Sequence, residues 1–150
     1  MTAMVHTVCP VASDDREWGQ FSAALKVAGL PADDLLTEGQ SFYQMSDVDG
    51  PIAFGGFYIA GAEGLLRSIV VLPSRRRMGI GRRFVEFLLD RMKGSGVEQA
   101  WLLTTTAEPF FDKLQFRVRP RHEAPATIAE TREFAQLCPA SAVLMCRKLP

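Results

Sequence analysis

The feature that most constrains the fold is a strand, an arginine-rich turn and a helix that follow one another in the middle of the chain. The apolar run from Leu65 to Leu72 predicts a buried strand that ends at Pro73. Apolar residues recur at helical spacing from Ile80 to Met92. Gly79 and Gly81 fall where the strand should pass into the helix. A chain with this order must place a glycine-rich turn at a helix N-terminus.

This turn has the chemistry of an anion site. A helix N-terminus presents backbone N–H groups without helical partners and the positive end of the macrodipole. Glycines let a ligand approach the main chain closely, and five arginines lie between positions 75 and 83. Together these features predict a site for a phosphate-bearing ligand. The alternative interpretation is a solvated run of charge.

The spacing of the turn narrows the ligand. The Walker pattern is absent, and the third glycine of the dinucleotide pattern is replaced by Phe84. The turn reads Val71-Leu72-Pro73, then Arg76-x-x-Gly79-x-Gly81. This order resembles the acetyl-CoA pyrophosphate loop of the GNAT N-acetyltransferase superfamily. The resemblance implies an N-acetyltransferase, an acyltransferase that uses acetyl-CoA and no metal.

Length, charge and cysteine spacing exclude several other classes. A chain of 150 residues suits one domain. The formal net charge is zero, so no broad basic face for nucleic acid is expected. No apolar run approaches the ~20 residues that span a membrane, and no export signal is visible. The three cysteines lack metal spacing, and we expect a cytoplasmic protein with a small-molecule substrate.

The order of predicted elements indicates an α+β fold. The chain reads as a strand, one or two helices, three antiparallel strands, and then alternating helices and strands. The predicted sheet is mixed, mostly antiparallel, and contains about seven strands, and Gly55-Gly56 suggests a bulge or a close backbone approach. The order resembles the GNAT fold, which implies strands 4 and 5 that splay apart. A helix predicted over Pro125–Leu137 departs from the commonest GNAT order and could cover the acceptor pocket or support a homodimer.

The resemblance also assigns residues to the coenzyme. In the superfamily the pantetheine arm lies between the splayed strands, and the pyrophosphate binds the main chain of the turn. The alternative for the strand residues is core packing, which is compatible with backbone contacts to a ligand. The positions that this resemblance assigns to acetyl-CoA are Ile69, Val70, Val71, Arg76, Arg77, Met78, Gly79, Ile80, Gly81, Arg82, Phe110 and Phe111.

No catalytic acid or base stands out. Many superfamily members place a Phe-Tyr pair after the fifth strand, but this chain has Phe110-Phe111, and Gln115 stands where a glycine is usual. Glu63 and Glu108 are weak candidates for a base, and each is more typical of a solvated surface carboxylate. We therefore expect the amine proton to leave through ordered water.

The candidate acceptor site combines one charge with several hydroxyls. Arg67 lies in the middle of an apolar strand, where a guanidinium should be paired or face a ligand. The alternatives are an internal salt bridge for the arginine, and strand propensity or turn capping for the threonines. Cys138, His6 and His122 are interpreted as structural or surface residues. The positions predicted to bind substrate are Arg67, Ser68, Thr104, Thr105, Thr106 and Ser141.

Three segments resemble a narrower group within the superfamily. They are Leu65–Ser68, Thr104–Phe111 and Leu137–Met145, and they are similar to arsenic-resistance N-acetyltransferases and short N-acetylglutamate synthase-like proteins. The resemblance implies an α-amino acceptor with a glutamate skeleton, such as the arsenic-bearing analogue arsinothricin. A synthase-like enzyme of arginine biosynthesis, an enzyme for another small amine, and a CoA-binding sensor or interaction module without turnover remain alternatives.

Overall fold

The computed structural model describes residues 6–12, 17–30, 39–73, 79–131, 134–135 and 141–150. Several predictions fall outside these ranges: the helix cap at Ser13, a short helix over 31–36, the thiol of Cys138, and the turn residues Arg76, Arg77 and Met78. The elements are β1 (Thr7–Pro10), α1 (Glu17–Val27), β2 (Gln40–Asp47), β3 (Gly50–Ala60), β4 (Glu63–Val71), α2 (Ile80–Gly94), β5 (Gln99–Thr104), α3 (Glu108–Lys113), β6 (Arg117–Arg119), α4 (Ala126–Ala129) and β7 (Val143–Lys148).

The described strands form one seven-stranded sheet in the order β1-β2-β3-β4-β5-β7-β6. Every neighbouring pair is antiparallel except β4 and β5, which are parallel. This arrangement confirms the predicted α+β class and mixed sheet. The β4–β5 pairing covers three positions and ends at Leu65↔Trp101, although β4 continues to Val71 and β5 to Thr104. The two strands therefore part, as predicted.

Helices cover both faces of the sheet. We call the side that carries α2 and α3 the α2 face, and the side that carries α1 and α4 the α1 face. Phe84, Leu88 and Met92 recur along α2 and are fully buried in the main core of the α2 face. The α1 face has two separate apolar clusters. The cluster under α1 contains Phe21, Leu25, Phe42, Phe54 and Val70, and the cluster under α4 contains Leu65, Trp101, Ile128, Leu144 and Cys146.

The helix predicted over residues 125–137 is interrupted after its first turn. In the described part of that segment, α4 spans Ala126–Ala129, residues 130–131 are not helical, and residues 134–135 are helical again. The Thr131 hydroxyl donates to the Ile128 carbonyl at 2.7 Å and accepts from the Phe134 N–H at 3.3 Å. A threonine that bonds to nearby backbone competes with the helical hydrogen bonds. Ile128 and Phe134, on either side of the interruption, both pack in the cluster under α4.

The described sheet has register shifts between β2 and β3 and between β3 and β4, and the second is a bulge in β4. Phe54 pairs with Val70 and Gly56 pairs with Arg67, so two β4 residues face Gly55 alone. One of those two, Ser68, has a positive φ of 60°. The Gly55-Gly56 pair marks a close approach instead, since a Cβ at Gly55 would lie 2.9 Å from Cε2 of Phe84. A Cβ at Gly56 would likewise collide with the Ser41 carbonyl of β2.

Candidate active site

The N-terminus of α2 begins at a glycine with a left-handed backbone. Gly79 has φ 73° and ψ 6°, and no side chain caps the helix. The Arg83 N–H donates to the Gly79 carbonyl at 3.2 Å, so the N–H groups of residues 80 to 82 precede the first helical hydrogen bond. Among the described residues, no atom outside the chain neighbours of Gly79 would lie within 4 Å of a Cβ at this position. The turn presents helix-end amides next to a residue without a side chain, which fits an anionic ligand.

The second glycine of the turn has a different role. A Cβ at Gly81 would lie 3.2 Å from Cζ of Phe110 and 3.5 Å from Cγ2 of Val71. Gly81 therefore lets the start of α2 pack closely against α3 and the end of β4. Phe110 in turn contacts Phe111 edge-to-face, with ring centroids 4.9 Å apart. The predicted ligand residues Phe110 and Phe111 thus support the turn from the α2 face.

The predicted pantetheine residues lie where β4 leaves β5. Ile69 and Val71 pack against the α2-face core, and Val70 is buried in the cluster under α1. These side chains serve the core, as the alternative interpretation required. β5 pairs with β4 only up to Leu65, so the edge of β4 beyond that point faces the gap between the strands. Core side chains and a backbone that borders the gap are compatible at these positions.

Arg67 is a buried charge on the α1 face. Its exposed fraction is 3%, and its Nε donates to the Ser68 Oγ at 2.9 Å. The guanidinium carbon lies 5.8 Å from the Phe42 ring centroid. Gly56 pairs with both Phe42 and Arg67, and the missing side chain leaves room for this cation–π contact. Sequence reasoning identified Arg67 and Ser68 but missed Phe42 and Gly56, whose role depends on strand register.

Arg67 separates the two apolar clusters of the α1 face. Leu65, two residues earlier in β4, belongs to the cluster under α4. Val70, beyond the bulge, belongs to the cluster under α1. The charge thus lies between the two covered regions and at the start of the strand divergence. Arg67 and Ser68 are the polar residues among the buried residues of β4.

The predicted hydroxyl residues meet at the diverging end of the sheet. Thr104 pairs with Val143, so the end of β5 lies beside the start of β7, two residues after Ser141. The Thr104 Oγ1 accepts from the Ala107 N–H at 2.9 Å, which is the turn-capping role considered as an alternative. Thr105, Thr106 and Ser141 are exposed. The structure therefore brings these predicted residues to one end of the sheet and leaves three of them open to solvent.

The two carboxylates considered as bases occupy different surroundings. Glu63 accepts from the Trp101 indole N–H at 2.6 Å, at the end of β4 that is still paired with β5. It lies six residues before Ile69, or roughly 20 Å along the strand, so this hydrogen bond gives Glu63 a structural role away from the divergence. Glu108 is exposed in the first turn of α3. Neither position supplies a base that the geometry favours.

The remaining titratable candidates have structural surroundings. The His6 Nδ1 lies 3.3 Å from the Arg83 Nη1, and His122 is exposed. Burial raises the pKa of the Cys146 thiol to about 11, so this cysteine is protonated and weakly nucleophilic near neutral pH. Within the described ranges, no three histidine, cysteine, aspartate or glutamate side chains gather as a metal site requires.

Sequence reasoning missed one arginine that organises the segment between β6 and β7. Arg121 Nη1 donates to the Ala142 carbonyl at 3.1 Å, and Nη2 donates to the Phe134 carbonyl at 3.5 Å. The guanidinium also lies over the Phe134 ring, 4.9 Å from its centroid. No sequence signal separates Arg121 from its neighbours Arg117 and Arg119, because its partners lie 13 and 21 residues further along the chain.

These features define a class of protein: a mixed sheet with a parting β4–β5 pair and a glycine turn at the next helix. Residues 10–116 match the sequence model of the acetyltransferase (GNAT) family. The chain therefore belongs to this family. No curated protein matches the chain significantly in sequence. Among the described helices, none has the length and apolar character needed to cross a bilayer.

Solved structures share the fold at low sequence identity. N-acetylglutamate synthase from Neisseria gonorrhoeae, complexed with coenzyme A and L-arginine, has a TM-score of 0.78 and 16% identity over 96% of this chain. The chain spans about a third of that synthase, 33% of its length. Rv2747 from Mycobacterium tuberculosis, in complex with CoA, has a TM-score of 0.78, 17% identity and coverage of 96% and 99% of the two chains. The ribosomal-protein-S18-alanine N-acetyltransferase from Escherichia coli has a TM-score of 0.68, 18% identity and coverage of 96% and 94%.

Proposed function

We propose that this acetyltransferase acetylates the α-amino group of glutamate or of a glutamate analogue such as arsinothricin, a role in arsenic detoxification. The observation that carries the proposal is the buried guanidinium of Arg67 on the α1 face, at the point where β4 and β5 part. A buried guanidinium is suited to hold a carboxylate, or a similar anion, through two parallel hydrogen bonds. An acceptor held there would have its amine directed toward the gap between the strands.

The coenzyme residues in this proposal act mainly through the backbone. The amides at the start of α2, from Gly79 to Arg82, would hold the pyrophosphate, with Arg76, Arg77 and Met78 completing the turn. Ile69, Val70 and Val71 would border the pantetheine arm, while Phe110 and Phe111 support the turn. Acetyl-CoA supplies the acetyl group as a thioester. The proposed coenzyme site depends most on Gly79, because its left-handed backbone and its lack of a side chain leave room for a phosphate.

The acceptor residues act through side chains. Ser68 accepts a hydrogen bond from the Arg67 Nε, which would help to orient the guanidinium toward an anionic acceptor. Thr105, Thr106 and Ser141 are exposed at the diverging end of the sheet and would hydrogen-bond the amine end of the acceptor. Thr104 would position this group through the turn that it caps. In this arrangement the anionic end of the acceptor would bind at β4, and its amine end would bind at the end of β5 and the start of β7.

Proton transfer in this proposal needs no dedicated side chain. The acceptor amine must lose a proton to attack, and ordered water at the open end of the sheet would receive it. The leaving thiol has a pKa of roughly 8.5, so it requires little help from an acid. The Phe110-Phe111 pair has no hydroxyl to offer, and the pKa of Cys146 is about 11 because burial raises it. Glu63 and Glu108 are not needed in this scheme.

A synthase-like enzyme that acetylates glutamate in arginine biosynthesis is the second candidate. The fold similarity to N-acetylglutamate synthase favours it in part, although the chain spans only a third of that protein and the identity is 16%. Both candidates share the glutamate skeleton and the role of Arg67. We also propose that the protein acts in the cytoplasm and that its substrate is a small molecule. The same proposal includes a homodimer.

Thiol release from acetyl-CoA with a panel of amines tests the acceptor. The panel comprises glutamate, arsinothricin, phosphinothricin, glutamine, alanine and an aminoglycoside. Turnover confined to amines with a glutamate skeleton and a second anionic group supports the proposal. Faster turnover of glutamine or alanine than of glutamate contradicts the proposal, because the site would then provide no cation that binds the anionic side chain of glutamate. Preference for arsinothricin over glutamate separates detoxification from biosynthesis.

A further inference from the structure

Resting on the proposed acceptor site, we propose that Arg121 is a positioning residue for the acceptor half of the active site. Its role would be to hold the described residues of the connection between β6 and β7, which are 120–131, 134–135 and 141–142, against the α1 face. Arg121 would therefore act on acceptor binding and leave acetyl-CoA binding unchanged.

The Arg121 guanidinium joins two distant parts of this connection. One nitrogen donates to the Ala142 carbonyl and another to the Phe134 carbonyl. The cation also lies over the Phe134 ring. A forked donor can make these contacts at once, whereas a lysine ammonium concentrates its charge at one point. Arg121, in a 3-10 turn at the start of the connection, thus fixes two later points of it, Phe134 and Ala142.

The segment that Arg121 holds packs against β4 at Leu65, two residues before Arg67. Ile128 and Phe134 pack in the cluster that contains Leu65, which lies two residues before Arg67 on the same face of β4. A displacement of this cluster would open one side of the Arg67 environment. The connection therefore forms the wall of the proposed acceptor site on the α4 side.

The second contact fixes the start of β7. Ala142 lies between Ser141, an expected acceptor residue, and Val143, which pairs with Thr104 at the end of β5. By holding the Ala142 carbonyl, Arg121 sets the distance of Ser141 from the diverging end of the sheet. The two contacts together couple both ends of the proposed acceptor site, the anion end at Arg67 and the amine end at Ser141.

A substitution of Arg121 should therefore affect the KM of one substrate and not that of the other. Without the Arg121 fork, the connection would have more conformations, and the acceptor would have to order it on binding. The cost appears in the KM for the acceptor. The amides of α2 that would hold the coenzyme are not part of the connection, so the KM for acetyl-CoA should not change.

Arg121→Met and Arg121→Lys test the inference, with Arg119→Met as the matched control. Arg119 lies two residues earlier on β6 and makes a 4.0 Å surface contact with Glu123. We expect Arg121→Met to raise the acceptor KM by about tenfold, Arg121→Lys to raise it less, and the control to leave it unchanged. The KM for acetyl-CoA should stay within about twofold in all three.

A spectroscopic readout reports the connection directly. Trp101 is buried in the same cluster as Phe134 and Ile128, and Trp18 can be replaced by phenylalanine to leave Trp101 as the single tryptophan. Arg121→Met should increase quenching of Trp101 fluorescence by acrylamide. Arg117→Met is the control for this readout and should not, because Arg117 is exposed and pairs with Asp112 at the surface, whereas Arg119 lines the same cavity as Trp101. An unchanged acceptor KM in folded Arg121→Met overturns the inference, as do equal increases in both KM values.

Two further outcomes keep the test decisive. If Arg121→Met does not fold, Arg121→Lys carries the test, and an unchanged acceptor KM in that variant overturns the inference. The assay uses whichever amine the panel identifies. If Arg121 variants raise the KM for an amine other than glutamate or its analogues, the positioning role is supported and the glutamate proposal is contradicted. If the protein acetylates glutamate and the Arg121 variants do not change its KM, the glutamate proposal is supported and the positioning role is contradicted.

Discussion

The two proposed binding regions, the start of α2 and the α1 face, are built in different ways. The proposed coenzyme region at the start of α2 consists of backbone amides and a left-handed glycine, Gly79. The proposed acceptor region on the α1 face consists of the buried Arg67 side chain, its contact with Phe42, and the connection held by Arg121. The first region is local in sequence. The second assembles residues from β2, β3, β4 and the segment before β7.

From this difference we expect the two regions to differ in how sensitive they are to amino-acid substitutions. Backbone amides remain after most substitutions, so only a change of backbone conformation or an inserted charge should disturb the α2 turn. A side-chain site depends on each neighbour, because a buried guanidinium needs its surroundings intact. We therefore expect few sensitive positions in the turn and many on the α1 face.

Gly79→Asp should have the largest effect, with Gly79→Asn as the matched control. Both side chains tolerate a left-handed backbone better than most, but only aspartate adds a negative charge against the phosphates. One like charge at close range costs about 2–4 kcal/mol, or roughly 30- to 1,000-fold in CoA affinity. Isothermal titration with CoA measures it.

CoA affinities of Gly79→Asp and Gly79→Asn that both equal the affinity of the unaltered protein would remove the charge argument and place the diphosphate elsewhere. Thermal unfolding of both variants gives the control, since their backbone strain is similar. A loss of binding in the asparagine variant as well would mean that the space beside Gly79, and not its electrostatics, is the requirement.

Arg67→Lys should have the next largest effect, and it acts on the acceptor side. Lysine keeps the charge and loses the fork, so the two parallel hydrogen bonds to an anionic acceptor become one. We expect the acceptor KM to rise about 10- to 100-fold, corresponding to about 1.5–3 kcal/mol for a charge-assisted contact. The KM for acetyl-CoA should not change, which steady-state kinetics with each substrate varied in turn will show. Equal losses for both substrates would end the separation of the two regions.

Cys146→Ala should have the smallest effect, and it tests whether the cluster under α4 takes part in proton transfer. Burial raises the pKa of the folded-state thiol to about 11 from an ordinary 9.0. The folded state therefore disfavours the thiolate, and the stability from Cys146 is present below pH 9 and lost as pH rises toward 11. Between about pH 8 and pH 10 the parent should lose about 1 kcal/mol more than Cys146→Ala in urea unfolding. Unchanged activity near neutral pH in the variant would agree with a structural thiol.

The sequence predicted most strands and the first two long helices because their patterns are local. The apolar run that ends at Pro73 is β4, and the 3.6-residue spacing after Gly79 is α2. The prediction of one continuous helix over 125–137 missed the interruption at residues 130–131, because apolar spacing does not report local hydrogen bonds of side chains to the backbone. There, the hydroxyl of Thr131 ends α4 through its bond to the Ile128 carbonyl.

The bulge shows the same limit at the level of a single residue. Gly55-Gly56 suggested an irregularity in β3, and the register shift does occur opposite Gly55. The extra residue nevertheless lies in β4, at Ser68 and Ile69. Pairing depends on both strands, so the sequence of one strand can mark a disturbance without saying which strand accommodates it.

By itself, the sequence determined the order of strands and helices, the parting of β4 from β5 that the family resemblance implied, and the glycine turn before α2. These follow from periodicity and from residues whose backbone preferences act over a few positions. Only the tertiary structure decided that Gly81 serves packing, that Arg67 lies over Phe42 across Gly56, and that Arg121 holds Ala142 and Phe134. Those contacts join residues from 13 to 29 positions apart or on different strands, and no local pattern encodes which side chains register and packing will bring together.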